Sequence, residues 1–134
     1  MSKQVGVVIF NLLSTEPTLA GTINKKIYPN MAPQGKDKPV GSYLIYNIMG
    51  SKRDYGQGAF ERYYKIAISV YSNNYKTSDL ITLAIINKLN RFSGLVGEQE
   101  VTAIFYDEEA DDMIDDPQLH HKPCEFTVVL TETN

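Results

Sequence analysis

The chain has one cysteine, no tryptophan and two histidines. One cysteine cannot form an internal disulfide, so nothing in the sequence indicates an oxidising compartment. The apolar run at residues 5–13 is too short to cross a bilayer, and we expect no membrane partner. The glycine-containing stretch at residues 50–58 lacks both the G-x-G-x-x-G pattern and a lysine–serine phosphate loop, which argues against a nucleotide site there.

The rest of the composition is that of a globular domain. Hydrophobic residues make up 43% of the 134, and the aromatic residues are nine tyrosines and five phenylalanines. A chain of this length buries about two-thirds of its unfolded surface, enough for a real core. Since no internal repeat or linker divides the sequence, we predict a single domain over residues 1–134. We expect the tyrosines to serve core packing or protein interfaces.

Charge is distributed unevenly along the chain. Residues 107–122 contain seven acids and one lysine, a net charge of −6, whereas the remaining twelve basic and nine acidic residues give +3. The body is therefore mildly basic and one segment is strongly acidic. This distribution argues against a general nucleic-acid-binding protein, in which basic residues gather on one face.

Two helices are predicted. The first should end near Ser14, because its apolar residues recur with a helical period on one face: Val5, Val8, Ile9, Leu12 and Leu13. The second should follow an asparagine or threonine cap near residue 74 and stop at Gly94. Its apolar positions are Leu80, Ile81, Ala84, Ile85, Leu89 and Phe92.

Four strands are predicted, at residues 42–49, 59–72, 100–106 and 122–131. The first two should pair antiparallel through a polar hairpin tip at residues 51–58. In the second and fourth strands apolar residues alternate with polar ones, so each should bury one face. With a loop expected at residues 23–37, the predicted fold is α+β, a mostly antiparallel four-stranded sheet with two helices packed on one face.

Residues 107–124 hold seven carboxylates, both histidines and the cysteine, every residue type that a metal site needs. The spacing of His120, His121 and Cys124 matches no common zinc site, and adjacent histidines on a strand point to opposite faces. A calcium loop would need a glycine at its sharp turn and a late bidentate glutamate, and this segment has neither. We therefore predict no metal and no cofactor.

A catalytic site in the same segment is also not expected. Paired carboxylates perform acid–base chemistry when burial or a cleft separates their pKa values, but seven acids with few apolar neighbours should be solvated. Cys124 falls on the apolar face of the last strand, where a cysteine behaves as a small hydrophobic residue. We predict no catalytic residue and interpret residues 107–116 as an exposed acidic loop between two strands, with the histidines marking the start of the last strand.

The order of elements resembles that of a known family. A short N-terminal helix is followed by "KIYPNMAPQGKDKPVGSYLIYNIMG", a strand "ERYYKIAISVYS" and a helix beginning "NYKTSDLITLAIINKL". This arrangement resembles the tail-completion proteins of long-tailed bacteriophages and prophages, which include tail-terminator and tail-to-head joining proteins. The most specific part is residues 27–46, and the resemblance extends through "CEFTVVLTE". The lengthened acidic segment and an N-terminal run rich in β-branched residues depart from the family pattern.

The resemblance implies a non-enzymatic ring former in the virion, at the head-proximal end of the tail, assembled in the host cytoplasm. Its expected partners are further copies of the chain, in a hexameric ring, together with the tail tube protein and the head–tail connector. DNA would pass through the lumen without specific binding. Head-to-tail contacts between identical subunits close into a ring when the rotation per subunit divides the circle.

Two surfaces are candidates for these roles. Loops carried on a rigid sheet commonly provide recognition, so the subunit or partner interface is placed at Met31, Gln34, Lys52, Arg53, Asp54 and Tyr55. The acids would either line the lumen and repel DNA phosphate or dock a basic patch of a partner. These acids are Asp107, Glu108, Glu109, Asp111, Asp112, Asp115 and Asp116.

Two alternatives remain open. The chain could be a head-completion or connector adaptor protein of the same particle. A small metal-binding enzyme that uses residues 107–124 is a further alternative from a different functional class.

Overall fold

A computed structural model describes residues 2–23, 26–29, 42–55, 60–72, 74–97, 99–109, 112–113 and 120–132. Within these ranges the chain forms three helices, α1 (Ser2–Ser14), α2 (Pro17–Thr22) and α3 (Tyr75–Leu89). The same ranges contain seven strands: β1 (Ile27–Pro29), β2 (Tyr43–Tyr55), β3 (Phe60–Ser72), β4 (Gly94–Val96), β5 (Gln99–Glu109), β6 (Asp112–Met113) and β7 (His120–Glu132). None of the described helices is long and apolar enough to span a membrane.

The strands form one curled, mixed sheet in the order β1-β2-β3-β7-β5-β4, with β6 paired to β7. β1 runs parallel to β2, and the other pairs are antiparallel. The prediction of a mostly antiparallel four-stranded sheet with two helices is therefore wrong: the path has six strands in a half-barrel, and three helices accompany it. The elements that it omitted, β1, β4, β6 and α2, are too short to show a clear hydrophobic period.

One core joins the helices to the sheet. The apolar face predicted for α1 is confirmed, since all five of its residues are buried. On the sheet side the alternation predicted for β3 and β7 is confirmed as well, because Tyr64, Ile66, Ile68 and Val70 are buried together with Cys124, Phe126, Val128 and Leu130. These alternate residues of two adjacent strands give the helices a continuous apolar surface, and on the opposite face Ser69 and Val129 are buried as well.

α3 begins where its cap was predicted and ends earlier than predicted. The side chain of Asn74 accepts hydrogen bonds from the backbone N–H groups of Lys76 and Thr77. At the other end Asn90 caps the helix, and Arg91 adopts a positive φ of 67°. The helix therefore ends at Leu89, before Gly94. The helix buries Ile81, Ile85 and Leu89 with the polar Ser78 and Thr82, whereas Leu80 and Leu83 are exposed.

The segment after α3 covers the open edge of β5. The Arg91 N–H donates to the Ile104 carbonyl at 2.7 Å, and the Ile104 N–H donates to the Phe92 carbonyl at 3.1 Å. The Asn90 side chain accepts from the Tyr106 N–H at 3.1 Å. The unpaired backbone groups of an edge strand are a template for unwanted pairing. Here residues 90–92 provide hydrogen-bond partners for the backbone of β5 as far as Tyr106.

Three β-bulges interrupt the long strands. In β2 the register advances from Ile48 to Gly50 against one residue of β3, so Met49 is the extra residue. In β5 the extra residues are Thr102 and Asp107. A bulge bends its strand and increases the local twist, so these positions decide where the strand ends point.

Candidate interaction surfaces

The predicted hairpin tip is largely strand. β2 continues to Tyr55 and β3 begins at Phe60, so residues 51–55 pair with residues 60–64 in what is here called the hairpin arm. Lys52, Arg53, Asp54 and Tyr55 all lie on this arm, beyond the bulge at Met49. The arm also pairs with the end of β7 through β3, which makes it part of the continuous sheet.

The register of the arm places like charges opposite each other. Arg53 pairs with Arg62, and Asp54 pairs with Glu61. Like charges directly opposite on an antiparallel pair are destabilising, whereas opposite charges stabilise it. By register, exchanging Arg53 and Asp54 would give two opposite-charge pairs from the same composition.

Among the basic residues of this arm, Arg62 is the one whose side chain the structure describes. Its guanidinium carbon lies 5.8 Å from the ring centroid of Tyr64, within the range of a cation–π contact. Tyr64 is itself buried in the core. The base of the arm is therefore anchored by an aromatic residue that belongs to the packed interior.

The acidic segment, residues 107–116, begins inside the sheet. Asp107, Glu108 and Glu109 belong to β5, and Asp112 belongs to β6, where it pairs with His121. The segment was predicted to be a loop, but its first three residues extend the strand that was expected to end at Tyr106. Asp111, Asp115 and Asp116 lie outside the described residues, as do Met31 and Gln34.

Asp107 is held by two neighbouring strands. Its Oδ2 accepts from Lys65 Nζ at 2.7 Å and from Thr127 Oγ1 at 2.8 Å. The side chains of Lys65 and Asp107 are 46% and 29% exposed, so water screens the ion pair. The carboxylate thus links β3, β7 and β5 in a partly solvated position.

The two surfaces lie at opposite corners of the sheet. Arg53 shares a row with Leu130 of β7, and Glu109 shares a row with Cys124. The two rows are six residues apart along β7, about 20 Å, and three strand spacings separate β5 from β2, about 14 Å. The hairpin arm, which carries charges of both signs, and the acids at the end of β5 are therefore far enough apart to contact different molecules.

The histidines and the cysteine do not come together as a predicted site. His120 and His121 open β7, as predicted, and pair with Ser72 and Tyr71 of β3. Cys124 is fully buried, which confirms its predicted inward orientation. In the part of the chain that the structure describes, no group of three or more His, Cys, Asp or Glu residues is placed to hold a metal ion.

Three tyrosines form a ladder across β1, β2 and β3. Tyr43 stacks on Tyr71 with ring centroids 5.0 Å apart, and Tyr28 meets Tyr43 edge to face at 6.4 Å. Burial raises the pKa of the Tyr43 hydroxyl above 10.0, and Tyr71 raises it further. Aromatic pairs of this geometry stabilise a sheet beyond their buried area, so the ladder fixes the end of the sheet away from the hairpin arm.

Reasoning from the sequence missed the bulges and the like-charge register of the arm. A signal for the bulges exists, since the apolar positions of β5 change parity between Val101 and Ile104. The register depends on the pairing partner of every residue, which the sequence alone does not give.

The comparisons with known proteins find likeness in structure alone. No protein-family model and no curated protein matches the chain. Among solved structures, the chain is similar to a chain of the "Virion of native gene transfer agent (GTA) particle", with a TM-score of 0.76 and 11% sequence identity. The match covers 93% of this chain and 92% of that chain. At this identity the likeness shows a shared fold.

Proposed function

We propose that this chain is a non-enzymatic structural protein of a phage-like virion. The observation that carries the proposal is the match to a chain of a virion particle over nearly the full length of both chains. A shared fold does not by itself assign a function, because one fold hosts many. It gains weight here because the sequence independently resembles a family of virion proteins, on residues chosen without reference to any structure.

Within the particle we propose a ring-forming tail terminator that caps the tail tube and joins it to the head connector. The ring is expected to be hexameric and to lie at the head-proximal end of the tail. A ring of identical subunits needs heterologous contacts, in which one surface of each copy meets a different surface of the next. The positions of the hairpin arm and of residues 107–109 at opposite corners of one sheet support such contacts.

The charge pattern of the arm supports a role in binding. Functional sites commonly retain arrangements that cost stability in the isolated protein. The pairs Arg53–Arg62 and Asp54–Glu61 are such an arrangement. A partner that places carboxylates near the arginines and cations near the acids would relieve both repulsions on binding.

The acidic segment has two proposed roles. In the lumen, its carboxylates would repel DNA phosphate and avoid the counterion release that holds a polyanion on a basic surface. On an axial face, they would dock a basic patch of the tube or the connector. Neutralising the acids should impair DNA passage in the first case, whereas reversing their charge should block assembly in the second.

The decisive experiment measures assembly with partners. Native mass spectrometry and negative-stain imaging of the purified chain, alone and with tail-tube subunits, should show a monomer alone and a six-fold ring on tubes. A chain that does not bind tubes refutes the terminator. A twelve-fold ring that binds the connector instead would assign the chain to a head-completion or adaptor position.

A further inference from the structure

The acidic segment leaves the sheet at a β-bulge. Tyr106 pairs with Phe126 and Glu108 pairs with Glu125, so β5 advances two residues while β7 advances one. The additional residue is Asp107. Because a bulge bends its strand and redirects the residues beyond it, the local geometry of Asp107 determines the course of Glu108 and Glu109.

The register beyond the bulge is unfavourable without support. Glu108 stands opposite Glu125 of β7, and directly opposed like charges destabilise an antiparallel pair. The strand nevertheless continues to Glu109, which pairs with Cys124. An interaction at the bulge would help to hold the end of β5 against β7.

The carboxylate of Asp107 supplies that interaction. Lys65 and Thr127 are register partners on β3 and β7, and both donate to the same oxygen of Asp107. One oxygen on the extra residue of the bulge is thereby tied to the two strands beside it. Bonds to a charged group are stronger than bonds between neutral groups, and two donors from different strands restrict the direction of the bulge.

We propose that Asp107 is a positioning residue that sets the direction in which the remaining acids leave the sheet. The role of those acids rests on the proposed function, but the positioning is a property of the isolated chain. Because Lys65 compensates its charge, Asp107 does not belong to the surface that repels DNA or docks a partner. Among the described residues, the acids left for that role are Glu108, Glu109 and Asp112.

Hydrogen exchange of the isolated protein, followed by mass spectrometry, tests the positioning. Asp107→Ala and Thr127→Val should each raise the exchange rates of amides in residues 107–113 by roughly threefold to tenfold, since local opening follows the loss of a charged hydrogen bond. Amides of the hairpin arm should be unaffected. The exchanged pair Lys65→Asp with Asp107→Lys should restore part of the protection, because it keeps an ion pair between the two residues, although a lysine at position 107 cannot accept from Thr127.

The other bulge of β5 provides the matched control. Its extra residue, Thr102, is hydrogen-bonded to Thr131 of β7. Thr102→Val removes a side-chain hydrogen bond between the same two strands, and it should leave residues 107–113 as protected as in the wild type. The proposal is overturned if Asp107→Ala leaves their exchange unchanged, or if Thr102→Val raises it equally.

Assembly provides the second measurement. If assembly depends on the direction in which the acids leave the sheet, Asp107→Ala should lower the fraction of the chain that forms rings on tubes. The exchanged pair should raise that fraction again. Ring formation equal to wild type in Asp107→Ala would overturn the link between positioning and function. Should the wild-type chain form no ring, the proposed function fails while the exchange result still decides the positioning.

Discussion

Replacing Arg53 by glutamate should stabilise the isolated protein and weaken its assembly. The substitution turns the Arg53–Arg62 like-charge pair into an opposite-charge pair at the same register position. Each such cross-strand effect amounts to roughly 0.2–1 kcal/mol. Removing the repulsion and adding the attraction together should raise the free energy of unfolding by about 0.5–1.5 kcal/mol.

The expected change in melting temperature depends on the chain length. Unfolding entropy is about 2.1 cal/mol/K per residue, so a 134-residue chain should gain roughly 2–5 °C from this change. Calorimetry at low ionic strength measures it directly. The gain should shrink in high salt, because salt screens charges that water reaches.

Lys52→Glu is the matched control for Arg53→Glu. It changes the net charge by the same amount on the neighbouring residue, but Lys52 pairs with Tyr63, so no charged register partner is relieved. Lys52→Glu should therefore give little or no stabilisation. If both variants shift the melting temperature equally, the like-charge register does not destabilise the chain, and the reasoning is refuted.

Ring formation on tail tubes is the second measurement on the same variants. Arg53→Glu should lower the yield of rings despite the greater stability of the monomer. A more stable variant that assembles as well as wild type would show that the arginine pair is not kept for a partner. The interface would then have to lie elsewhere on the chain.

Three further predictions concern the fold. A Cβ on Gly6 would lie 3.1 Å from the Tyr46 hydroxyl, so Gly6→Ala should yield its helix-propensity gain of about 1 kcal/mol only in a Tyr46→Phe background. A double-mutant cycle by urea denaturation measures the coupling between the two residues, and additive effects would contradict the contact. Asn74→Ala should cost about 1 kcal/mol in the same assay by removing the cap of α3, whereas the exposed Asn87→Ala should not destabilise the protein, and equal losses would refute the capping role. Burial raises the pKa of Tyr43 and Tyr46 above 10.0, so the folded state holds these protons more tightly than the unfolded state. The free energy of unfolding should be constant just below pH 10 and fall as the pH rises through the folded pKa values. Tyr43→Phe and Tyr46→Phe should each make that fall less steep, as measured by urea midpoints.

The sequence predicted those elements whose hydrophobic period is long enough to read. Five residues on one face specified α1, and alternation over most of β3 and β7 specified which face of each strand enters the core. α3 was located by its cap and its period. The burial of the polar residues Ser78 and Thr82 on this helix was not predicted. Thr82 tolerates burial because its Oγ1 donates a hydrogen bond to the Ser78 carbonyl at 2.7 Å.

The strand count failed for a different reason. β1 and β4 have three residues each, too few to show alternation, and they are specified by their partners in the sheet. α2 carried a readable local signal, since Glu16 accepts from the Leu19 N–H and precedes a proline at the first helical position. A carboxylate cap followed by proline predicts a helix start even when the helix has only six residues.

The bulges at Met49 and Asp107 lie where apolar strand residues give way to charged ones. In β2, the even-numbered Leu44 and Ile48 pair with buried residues of β3 before the bulge, whereas after it the odd-numbered Ser51 pairs with the buried Tyr64. In β5 the buried Ile104 is followed, after the bulge at Asp107, by carboxylates. Both candidate surfaces therefore begin with a parity change followed by a change from apolar to charged residues. This coincidence has a physical basis, since a strand that continued without a bend would carry its charges along the packed sheet, whereas a bulge bends the strand away from that course.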